Sequence, residues 1–86
     1  MTSPLIADAR QCGRSAAESV FLTMTDFCLD HLTSADFFGM KWRAVEFRLE
    51  AYGIDPADPE ARRIASREFG QRWRECWIGF SVWVDE

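Results

Sequence analysis

The 86-residue chain contains no asparagine, one histidine, three cysteines and three prolines. Only one of its ten basic side chains, Lys41, is lysine. Three cysteines, Cys12, Cys28 and Cys76, leave at least one thiol unpaired and are too sparse for a disulfide framework, so a reducing, cytoplasmic setting is expected. No stretch approaches the roughly 18 apolar residues of a membrane span. The first residues, Met1 to Asp8, show no basic segment leading into an apolar run, so no signal peptide is expected. There is no glycine-rich phosphate loop, no Gly-x-Ser-x-Gly elbow and no His-Glu-x-x-His motif. No cofactor or enzyme class is therefore indicated, and a non-catalytic protein is expected. The absence of asparagine and the use of arginine for lysine fit a GC-rich coding sequence, which points to a bacterium or a bacterial mobile element.

What is present fits one globular domain spanning residues 1–86. Hydrophobic residues make up 48% and charged residues 28%, ordinary values for a folded chain. The formal charge of -4 repels a polyanion at long range and favours a basic partner.

The punctuation of the chain predicts an all-α fold, a small bundle of three to four helices. Ser3-Pro4 opens a short first helix that Gly13 is expected to close. Ser15-Ala16-Ala17-Glu18 reads as a capping box, starting a helix from about 15 to 33 with Ala17, Val20, Phe21, Met24, Phe27, Cys28, His31 and Leu32 on one stripe. After cap candidates at Thr33, Ser34 and Asp36, Phe38, Trp42, Val45, Leu49 and Tyr52 repeat at spacings of 4 and 3. Met40, Ala44, Phe47 and Ala51 form a second apolar stripe, so this helix is expected in the middle, covered on two sides, and ended by Gly53. Asp55-Pro56 and Asp58-Pro59 are overlapping start signals for a third helix running to about residue 77. Beyond it, Ile78, Phe80, Val82 and Val84 also alternate as an extended strand would, so the C-terminal segment stays open between helix and strand.

Two surfaces emerge as candidates. Trp73, Trp77, Phe80 and Trp83 crowd a segment too apolar for one small core to cover, and large aromatic rings are favoured at interface centres. A protein partner, or a second copy in a homodimer, is expected there. Asp26 and Asp30, with Glu18 and Asp36, add an acidic region suited to a basic partner surface. An inhibitor or adaptor carried by a phage or other mobile element, for example against a host defence complex, is the most concrete form of this reading. The alternative is a helical nucleic-acid-binding regulator. Arg63, Arg67 and Arg74 fall within about 40° of one another around the third helix, and residues 34–53 with 58–74 are placed like a helix-turn-helix. The bland reading of the same face is a solvated surface with the helical pairs Asp58 to Arg62 and Glu68 to Arg72. Cys28-x-x-His31 with Cys12 and Cys76 has the residue types of a zinc site but not its closely spaced ligand pairs, so no metal is expected.

Overall fold

The computed structural model describes residues 4–27 and 34–85, with side chains over 5–25 and 35–79. It is all-helical: α1 spans Pro4–Phe27, α2 Ser34–Ala51 and α3 Pro59–Asp85. There is no strand among the described residues.

α1 is a single helix where the sequence predicts two. Gly13 does not end it, because this glycine is buried against α3 at a point where a side chain would collide with the Ala65 backbone. Close packing outweighs the roughly 1 kcal/mol cost of glycine inside a helix. The expected capping box is not a cap either. Ser15 lies mid-helix, and its hydroxyl accepts a hydrogen bond from Arg48 Nε at 3.0 Å. Glu18 reaches across to α3, where Arg72 Nε donates to its carboxylate at 2.9 Å. The expected end of this helix near residue 33 lies outside the described residues.

α2 ends as its sequence predicts. Gly53 has φ +75°, a left-handed conformation that costs glycine little. The Gly53 amide donates to the Glu50 carbonyl at 3.0 Å and the Ile54 amide to the Leu49 carbonyl at 2.9 Å, closing a Schellman motif with Ile54 buried beneath it. Of the two Asp-Pro signals, the second starts α3. Asp58 Oδ1 accepts from the Glu60 amide at 2.9 Å as an N-cap, with Pro59 at the first helical position. Asp55 instead forms a turn, accepting from the Ala57 amide at 2.9 Å. The strand alternative for the C-terminus is overturned: α3 is helical through Asp85. A lone strand leaves its backbone groups unpaired, whereas a helix satisfies them internally.

The pairing of residues fixes the directions. Arg10 meets Glu68 and Phe21 meets Trp77, so α1 and α3 run parallel. Phe37 meets Trp73 while Glu46 meets Arg62, so α2 runs antiparallel to α3. The central helix is α1, not the expected α2. Ala9, Cys12, Ala16, Ala17 and Val20 of α1 are buried against Val45 and Leu49 of α2 and Ala61, Ala65 and Phe69 of α3. Small side chains let the backbones of α1 and α3 approach closely, while the second stripe of α2 is split: Met40 and Ala44 pack against the core and Phe47 is 70% exposed.

Candidate functional site

The C-terminal half of α1, the middle of α3 and the start of α2 meet in an aromatic cluster. Trp73 sits at its middle, with ring centroids 5.0 Å from Phe37, 5.8 Å from Phe69 and 6.0 Å from Trp77. Phe21 closes it edge-on, 6.1 Å from Trp73 and 5.2 Å from Trp77. Such offset and edge-to-face arrangements are the favoured aromatic geometries. Trp73 is thus a wall of the core, and Trp77 keeps 37% exposure beside it. Phe80 and Trp83 lie on the last turns of α3 and Asp26 at the end of α1, all with side chains outside the described residues; Asp30 is outside them entirely.

Next to the cluster, α1 and α3 diverge around a groove of about 420 Å³. Its floor is Phe21, Leu22, Cys76 and Gly79, and its charged rim is Glu18, Arg72 and Glu75. Leu22 is 56% exposed, an apolar residue off the core stripe. Sequence reading missed this groove because its two walls are distant in sequence, one on α1 and the other on α3; the available signal was Leu22 itself, a leucine with no place on the stripe of its own helix.

The rim belongs to a ladder of alternating charge along the α1/α3 seam. Arg10 and Arg14 each stand 3.7 Å from Glu68, Arg14 meets Glu75 at 2.9 Å, and Arg72 joins Glu75 at 3.1 Å to Glu18 at 2.9 Å. The two guanidinium groups of Arg72 and Arg14 hold the Glu75 carboxyl below its ordinary range. Hydrogen bonds from Arg72 to Glu75 and Glu18 push the Arg72 guanidinium further into its charged form. The helical pairs expected from sequence are replaced: Glu68 faces α1, and Arg62 donates to Glu46 and to the Pro56 carbonyl, both at 3.1 Å, while lying 4.2 Å from the Trp42 ring centroid. Glu18, expected in a free acidic region, is part of this ladder.

Lys41 bridges α2 and α3. Its ammonium donates to Ser66 Oγ at 2.9 Å and lies 5.2 Å from the ring centroids of both Trp42 and Phe69. Burial lowers its pKa from 10.5. Burial raises the Cys12 thiol above 9.0, with Asp8 adding to the shift and Arg48 opposing it. Cys12 and Cys76 are far apart: Cys12 neighbours Gly13, which packs on Ala65, and Cys76 lies eleven residues further along α3. Cys28 and His31 are outside the described residues.

Arg63, Arg67 and Arg74 are all exposed on the outer face of α3. Arg63 and Arg67 also line a second cleft of about 180 Å³ together with Arg10, Glu60 and Glu68 over Ile6 and Ile64. Long side chains join α2 to α3, from Phe37 with Trp73 to Glu46 with Arg62. No protein family model, curated protein or solved structure matches this chain.

Proposed function

We propose that this chain is a non-catalytic protein-interaction module whose contact surface is the α1/α3 groove beside the aromatic cluster. In its most specific form it is an inhibitor or adaptor encoded by a phage or other bacterial mobile element. The observation that supports the reading is the groove's construction. An apolar floor with an exposed Leu22 is framed by charges that are already paired with one another. A partner's apolar side chain gains burial there, while the rim stays hydrogen-bonded and adds orientation. Small size, net acidity and arginine-rich composition support the mobile-element origin.

Two substitutions test this reading without disturbing the core. Leu22→Asp places a charge on an exposed position. Gly79→Glu fills the groove from a glycine whose added β-carbon meets open space. Immobilised wild type, the groove double variant and a Phe47→Asp control are challenged with nuclease-treated bacterial lysate. The proposal expects one stoichiometric protein retained by the wild type and the control and lost by the groove variant. Equal retention by all three overturns it.

A nucleic-acid-binding regulator is the second reading, favoured by the exposed arginines of α3. The net charge of -4 weighs against it.

A further inference from the structure

Most arginines of this chain are spoken for within it. Arg10, Arg14, Arg62 and Arg72 form ion pairs, and Arg48 donates to Ser15 and to the Ala44 carbonyl. Arg43 on α2 and Arg63, Arg67 and Arg74 on α3 do not: among the described residues none of them has an ion pair or hydrogen bond. In a chain with fourteen acidic side chains, three exposed guanidinium groups left unengaged on one helical face form a concentrated positive stripe. At about 1.5 Å per residue it is roughly 16 Å long. Gly70 lies on the same stripe between Arg67 and Arg74, with open space above it, and Ile78 continues it at 65% exposure.

We infer that this face of α3 binds an acidic helical segment of a protein partner, with its carboxylates paired to Arg63, Arg67 and Arg74 along the exposed stripe. The chemistry favours discrete carboxylates over a continuous polyanion. Glu60 and Glu68 line the cleft beside Arg63 and Arg67, and a phosphate backbone running along α3 meets their charge as well as that of the arginines. A protein segment avoids this by carrying acidic side chains only where the arginines stand. The spacings of 4 and 7 between the arginines repeat one face of a partner helix. A guanidinium takes a carboxylate bidentately, the gap at Gly70 admits a partner side chain, and Ile78 supplies an apolar contact at the end of the stripe. This surface is separate from the groove and stands or falls without it.

The test uses the full chain and two fluorescein-labelled probes at low salt. One is an amphipathic peptide of about twenty residues with glutamates at helical spacings of 4 and 7 on one face; the other is a mixed-sequence DNA duplex of about twenty base pairs. The peptide is expected to bind more tightly than the duplex, and Arg63→Glu with Arg67→Glu to weaken it roughly tenfold or more. A peptide with lysines in place of those glutamates is expected to recover binding to the reversed variant. Both arginines are exposed and without an ion pair, so the reversed variant stays folded, checked by its helical circular dichroism. Tighter binding of the duplex overturns the inference in favour of nucleic acid. Absence of peptide binding, a loss smaller than about twofold on reversal, or failure of the lysine peptide to recover it overturns the inference outright.

Discussion

Gly13 of α1 lies directly against the Ala65 carbonyl of α3: a β-carbon added at Gly13 overlaps that oxygen and falls 2.9 Å from the carbonyl carbon. The neighbouring atoms are backbone, so neither helix yields by turning a side chain. Ala9, Cys12, Ala16 and Ala17 on one helix and Ala61 and Ala65 on the other extend the same close approach, and all are fully buried. This contact sets the register of α1 on α3, and with it which residues face one another in the groove.

Gly13→Ala therefore destabilises the fold by about 1–3 kcal/mol through overpacking, despite alanine's better helix propensity. Gly70→Ala is the control. Its β-carbon meets open space, so the substitution stabilises by up to about 1 kcal/mol. Urea unfolding followed by circular dichroism measures both, and opposite shifts in midpoint are expected.

Trp73 packs against four other rings, whereas Leu22 and Ile78 are mostly in water. Trp73→Ala is expected to cost about 2–3 kcal/mol of stability, toward the lower end for a large aromatic because the ring is only partly buried. Ile78→Ala changes stability by less than about 0.5 kcal/mol. Equal thermal midpoints for these two variants contradict the position given to Trp73.

The Glu75 carboxyl, held low by Arg72 and Arg14, links stability to acid pH. Because its folded pKa lies below the ordinary 4.5, its contribution is fully present above that value and is lost as pH falls through the folded value. Glu75→Gln is expected to flatten the dependence of the thermal midpoint on pH below 4.5, and high salt to flatten it in the wild type as well, since the group is partly open to solvent. An unchanged acid limb in the variant contradicts the linkage.

Cys12 is fully buried, with its thiol pushed up by desolvation, while Cys76 lines the open groove. In a Cys28→Ser background, a thiol reagent is expected to label Cys76 quickly and Cys12 only on unfolding. Mass spectrometry of the time course distinguishes the two, and early labelling of Cys12 contradicts its burial.

How much of this was legible in the sequence depends on where each signal is resolved. Gly53 and the Asp58-Pro59 start act through neighbours one to five positions away, so local rules found them. Gly13, Ser15 and Glu18 carry the same residue types as terminators and caps, but their partners are Ala65, Arg48 and Arg72. Nothing local separates a glycine that ends a helix from one that admits a second helix. The same holds for charge: Glu68 and Arg72 have the spacing of a helical pair, yet each turns to α1. The exposed arginines of α3 were legible from helical angle alone. The groove was not, because it requires the register that Gly13 and Ala65 impose.

The central claim, that the groove between α1 and α3 is the contact surface, is tested most directly by site-specific photo-crosslinking in bacterial cells. A photoreactive phenylalanine analogue is placed singly at Leu22, at Gly79 and at Phe47, the last being an exposed position on α2 outside the groove. The account predicts one discrete protein adduct from positions 22 and 79 and none from position 47. An adduct formed from position 47 alone, or equally from all three, contradicts it.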